Sequence, residues 1–126
     1  MPLVFWVAAG GAIGSAARYG VNILSTRAWG PEFPWATFIV NVAGCFAMGA
    51  LVALMTTRLN LSLEARAFIT TGILGGFTTF SAFSIDFALL VERKALGPAL
   101  AYGAGSVALS LIAVFAGLYL VRTLVS

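Results

Sequence analysis

Residues 75–84 read GGFTTFSAFS, and they sit within a run that carries no charge between positions 67 and 85. Two glycines, two threonines, two serines and three phenylalanines share these ten positions. Glycine and β-branched threonine weaken a helix. Four hydroxyls in hydrocarbon require partners. Irregular backbone at membrane depth is tolerated only where protein or a cavity surrounds it. The stretch therefore predicts a membrane helix that breaks near Gly75–Thr79. Carbonyls freed there would suit a cation, and freed amides an anion. The plainer alternative is a glycine kink satisfied by threonine side chains, which leaves the density of hydroxyls unexplained.

The rest of the chain is consistent with a membrane setting. Of its 126 residues 61% are hydrophobic and 9% charged, with a mean hydropathy of +1.04. A soluble domain carries roughly a quarter charged residues, so this chain lacks the polar surface to cover a globule in water. Four stretches reach the ~20 residues needed to cross hydrocarbon, at about 3–24, 35–57, 67–91 and 98–121. Turn signals separate them: AWGPEFPW, TRLNLSLEAR and ERKALGP. Ser62 with Glu64 suits a helix start, and Pro98 suits a first turn. The expectation is an all-α, single four-span transmembrane domain over 1–126 with no soluble part. The first segment has neither a preceding lysine or arginine nor a clear cleavage site, which argues against a removed signal peptide.

Several chemistries are excluded. Histidine is absent and Cys45 is the only cysteine, which removes the usual proton shuttle, an internal disulfide and a cysteine metal cluster. No embedded acid pair supports an enzyme, and no basic run supports a nucleic-acid partner. Orientation is undecided. With four spans, one side carries Arg58, Arg66 and Arg122 and the other Arg27, Arg93 and Lys94, so the positive-inside rule gives no instruction. Such balance favours dual topology, in which two copies insert oppositely and pair as an antiparallel homodimer.

Polar residues mark three spans besides the opening stretch. In the first, GGAIGSAARYG places Gly10, Gly14 and Ala17 on one face for close helix packing. Arg18 follows, able to snorkel, to cap a helix end or to draw anions into a vestibule. In the second, Asn41 offers two donors and an acceptor, for an interhelical hydrogen bond or for lining a polar pathway, and Thr37 lies one turn earlier on its face. In the fourth, Tyr102, Ser106 and Ser110 align at a spacing of four. A lone serine would bond its own helix, whereas an aligned set reads as a track. Phe80 and Phe83 share a face of the third span, and their electropositive ring edges can meet a small anion weakly enough to release it. Asp86, the one acid well inside a span, reads as a structural partner of Arg18 or a loop arginine, or as a proton-coupling carboxylate.

Taken together, GGAIGSAARYG, TFIVNVAG and TTGILGGFTTFSAFS resemble the Fluc family of fluoride channels, the CrcB-like proteins, and the likeness runs through the whole chain. That resemblance implies an antiparallel dual-topology homodimer in a bacterial plasma membrane, with two fluoride pores. It implies a structural Na+ at the dimer interface, held by the backbone carbonyls of Gly75 and Thr78 from both subunits, and no organic cofactor. It makes Asn41 a pore donor, Phe80 and Phe83 the pore aromatics, and Ser84, Tyr102, Ser106 and Ser110 a polar track. Arg18, Thr37 and Thr79 become vestibule or structural residues. The implied role is passive exit of fluoride trapped in the cytoplasm after HF enters and ionises. The alternative is a proton-coupled exporter of dual topology, for fluoride or another small molecule, which would have to rely on Asp86 because the first span holds no acid.

Overall fold

A computed structural model describes residues 2–125, and within them the regular structure is entirely helical. The elements are α1 (Leu3–Trp29), α2 (Trp35–Thr57), α3 (Leu63–Arg66), a π-helical stretch (Ala67–Leu74), α4 (Gly75–Phe77), α5 (Phe80–Glu92) and α6 (Leu96–Val125). Three helices are long and apolar enough to cross a membrane: α2, the bent rod Leu63–Glu92, and α6. α1 matches them in length with 27 residues, but Arg18 and its neighbouring serines make it more polar.

The ends follow local chemistry. Ser62 caps α3, its Oγ accepting from the Ala65 N–H at 3.1 Å, with Glu64 in the first turn. α1 stops at Gly30, whose φ of 81° is a region that glycine enters without steric cost. Arg93 donates to the Glu32 carbonyl at 2.7 Å and so ties the α5–α6 turn to the α1–α2 loop. Arg58 donates through Nε and Nη2 to the Val125 carbonyl, at 3.0 and 2.8 Å, and holds the end of α6.

Packing depends on small residues. α2 runs along α6, and α1 along the π-helical stretch. A Cβ on Gly49 would strike the Val114 carbonyl oxygen, and one on Gly117 the Phe46 carbonyl oxygen. Gly10 and Gly14 meet the Phe68 and Ile73 carbonyls in the same way. Lipid tails are as apolar as leucine, so helix association in a bilayer depends on this close fit. An apolar cluster of Leu90, Ala99 and Tyr102, flanked by Phe33, Phe38, Phe83 and Phe87, joins α5 to α6.

The break in the third rod is narrower than expected. Gly75 remains helical, at φ −64° and ψ −39°. The chain leaves the helix at Thr78 (φ −87°, ψ 156°) and Thr79 (φ −155°, ψ 127°). Gly75 lies exposed, and Gly76 serves contact with α1. A Cβ on Gly76 would lie 2.7 Å from the Gly11 carbonyl oxygen. The threonines, whose branched side chains favour extended backbone, take the non-helical positions. The π-helical turns before the break carry no signal in the hydrophobic pattern.

Candidate functional site: the helix break and its cleft

At the break side chains meet several of the freed backbone groups. Thr78 Oγ1 donates back to the Leu74 carbonyl at 3.0 Å and so finishes the first half of the rod. Thr79 Oγ1 accepts from the Ala82 N–H at 3.1 Å and caps α5. Asn41 reaches across from α2 and clamps Thr79 in both directions. Its Nδ2 donates to the Thr79 carbonyl at 2.9 Å, and its Oδ1 accepts from the Thr79 N–H at 2.8 Å. In an unbroken helix that N–H would serve the Gly75 carbonyl, so the clamp diverts the helical donor away from Gly75. Arg18 Nε donates to the Gly76 carbonyl at 3.2 Å. That bond caps the end of the first half-helix.

Beside the clamp lies an open cleft of about 250 Å³, lined by Asn41, Cys45, Thr78, Thr79, Phe80 and Phe83 with Ser106, Val107 and Ser110 of α6. Phe80 and Phe83 stand with ring centroids 5.6 Å apart, and Phe83 lies 5.1 Å from Tyr102. Phe80 is 75% exposed, a large ring projecting from the chain at the mouth of the cleft. Ser106 is only 4% exposed, and its Oγ has no hydrogen-bond partner among the described residues. The usual satisfaction of a membrane serine by its own helix does not occur there. A buried hydroxyl left without a partner costs about 1–3 kcal/mol, which makes Ser106 a donor in need of an acceptor.

The three-hydroxyl stripe of α6 divides. Ser106 and Ser110 face the cleft, whereas the Tyr102 hydroxyl donates to Asp86 Oδ2 at 3.2 Å. Thr37 Oγ1 donates to the same oxygen at 2.8 Å. Asp86 is thus held by two hydroxyls, and neither Arg18 nor a loop arginine is its partner at those bonds. Ser84 is exposed on α5, one turn beyond Phe80. Above this group opens a polar cavity of about 470 Å³, walled by Arg18, Thr37 and Asp86 together with Ser15, Asn22 and Ser25 of α1. Sequence reading passed over Ser15, Asn22 and Ser25. Their spacing with Arg18, three, four and three, already placed them on one helix face. Cys45, the lone cysteine, also lines the cleft.

Comparison with known proteins gives this geometry a context. Residues 5–118 match the family model described as CrcB-like protein, Camphor Resistance (CrcB). The chain is 55% identical over 118 residues to the fluoride-specific ion channel FluC of Agrobacterium fabrum, covering 94% of each chain. It is 51% identical over 126 residues to that of Rhodospirillum centenum, covering 100% of both. To that of Caulobacter vibrioides (strain NA1000 / CB15N) it is 50% identical over 117 residues, 92% of each.

Proposed function

The chain belongs to the CrcB-like family, and we propose that it is a fluoride-selective passive channel in the bacterial plasma membrane, through which cytoplasmic fluoride leaves down its electrochemical gradient. The observation that carries this is the cleft. A buried serine hydroxyl without a partner faces two phenylalanines at a helix break, in a chain half-identical to proteins named fluoride-specific ion channels. Fluoride is small and strongly hydrated, so a path must replace its water with donors. Ser106 and Ser110 supply hydroxyls, and Phe80 and Phe83 supply electropositive ring edges. Neither grips as a fixed charge would, and conduction requires release as well as entry. The cavity around Arg18 and Asn22 is the vestibule that feeds the cleft.

Three further readings concern assembly. α1 completes four spans, since the Arg93–Glu32 and Arg58–Val125 ties sit at opposite ends of the rods. The active form is an antiparallel homodimer. Thr71, Gly75, Phe80, Ser81 and Ser84 lie exposed around the middle of the third rod, where lipid cannot satisfy hydroxyls or a bent backbone. A second copy would cover them. Structural Na+ fits this surface. Gly75 is exposed, its carbonyl is not taken by Thr79, and carbonyl oxygen suits a hard cation. Gly75 and Thr78 carbonyls from each chain would hold it, and the ion would pin the two breaks together and add positive field away from the path.

The test is fluoride efflux from liposomes holding the purified protein, with valinomycin and potassium as the compensating pathway and chloride as control. Voltage-driven fluoride efflux without chloride efflux is expected. Its absence from folded protein would defeat the channel reading. Phe80→Ile and Phe83→Ile should each lower flux by about tenfold, ~1.4 kcal/mol of barrier, while the dimer still forms on size exclusion. Unchanged flux in both would remove the rings from the path. A proton-coupled exporter is separated by Asp86→Asn. The amide can still accept from Thr37 and Tyr102 but cannot titrate. Flux that persists and is indifferent to an imposed pH gradient is expected; loss of a proton-driven component would favour the exporter.

A further inference from the structure

Cys45 is the only thiol in the chain, and it lines the same cleft as Ser106, whose Oγ is buried in the cleft wall without a partner among the described residues. We propose that Cys45 is a modification site on the wall of the anion path, at which S-thiolation by a small, uncharged disulfide-type electrophile closes the cleft. The proposal rests on the channel reading. Its placement follows from two neighbours on α2. Asn41 lies one turn before Cys45 on the same face and is locked to Thr79 by bonds of 2.9 and 2.8 Å. Gly44, adjacent to Cys45, is buried against Thr78, whose Cγ2 would be struck by a Cβ there. α2 is therefore seated on the break and has no freedom to withdraw. A group added to Cys45 must go into the cleft of about 250 Å³, between Phe80 and Phe83 on one side and Ser106 and Ser110 on the other. It would place methyl and sulfur atoms where a hydrated anion needs donors, beside Ser106 and Ser110.

Methyl methanethiosulfonate is the probe. The Cys45 thiol gives its proton to water, and the thiolate attacks the methylthio sulfur. A Cys45–S–S–CH₃ bond forms, the bond to the sulfonyl sulfur breaks, and its electron pair leaves with methanesulfinate. The dithiol dithiothreitol reverses the change: it frees the Cys45 thiol, releases the methylthio group as methanethiol and is itself oxidised to the cyclic disulfide. Protein in liposomes is treated, then assayed for fluoride efflux and by intact mass. The expected result is a gain of one methylthio group with loss of fluoride efflux to the level of protein-free vesicles, restored by dithiothreitol. The Cys45→Ser variant, at whatever level it conducts, is expected to be insensitive to the reagent. Complete modification with unchanged efflux would overturn the proposal. So would absence of the mass gain in bilayer-embedded protein that gains it once denatured. No efflux from untreated liposomes overturns the channel reading itself and the proposal with it, and that outcome is seen before any reagent is added.

Discussion

Asn41→Ala is expected to abolish fluoride efflux and to lower stability by about 1–3 kcal/mol, the net worth of two half-buried hydrogen bonds. The two orphaned groups would be the N–H and carbonyl of Thr79, which now bond Asn41 at 2.8 and 2.9 Å. The effect on flux follows from the first. Without Oδ1, the Thr79 N–H has the Gly75 carbonyl as its nearest helical alternative. Taking it would extend α4 through the break and rotate Phe80 and Phe83 away from α6. Asn41→Asp separates the two bonds, because a carboxylate still accepts from the N–H but cannot donate to the carbonyl. It should therefore retain more of the fold than alanine while conducting poorly. Efflux from liposomes and the fraction of monodisperse protein after detergent extraction are the readouts. Full flux in Asn41→Ala with the fold intact would show that the break stands without its clamp.

The break was legible because its signal is chemical. Glycines, threonines and serines concentrated in an uncharged run cannot make an ordinary membrane helix. Its position within the run was less legible. Glycine is permissive in either direction, and here Gly75 and Gly76 were recruited for exposure and for contact with α1, leaving Thr78 and Thr79 to turn the chain. The π-helical turns at Ala67–Leu74 had no sequence mark, since one wider turn changes register without changing composition. Asn41 was singled out as a lone amide among apolar residues, but periodicity says nothing of a partner 38 positions away.

Partners were the general difficulty. Tyr102, Ser106 and Ser110 align on α6, yet a helix wheel does not show that a carboxylate on α5 will claim the first of them. Asp86 looked like a partner for a cation because cations were the only charges available to weigh. Two hydroxyls from α2 and α6 hold it instead. The stripe of Ser15, Asn22 and Ser25 on α1 went unread, although its spacing was regular. Arg18 drew attention as the charge, and the smaller polar groups around it gained meaning only as walls of one cavity.

Gly14→Ala should be the most damaging of the single-methyl substitutions in α1, and Gly20→Ala among the most benign. The two glycines lie on one helix, and both have negative φ, so their intrinsic cost relative to alanine is the same, ~1 kcal/mol in favour of alanine. What differs is the neighbour. At Gly14 the new methyl would overlap the Ile73 carbonyl oxygen and lie 2.8 Å from the Phe77 amide nitrogen, both backbone atoms that no rotamer change can move. At Gly20 there is nothing within 4 Å. Overpacking costs about 1–3 kcal/mol where side chains can adjust, and here α1 must instead back away from the π-helical turns. That movement withdraws Arg18 from the Gly76 carbonyl, a 3.2 Å bond, so the cap on the first half-helix fails along with the packing. Thermal stability in detergent should fall for Gly14→Ala and hold or rise for Gly20→Ala, and fluoride efflux should follow the same order. Equal stability of the two variants would mean that the glycine face of α1 is not what seats it on the third rod.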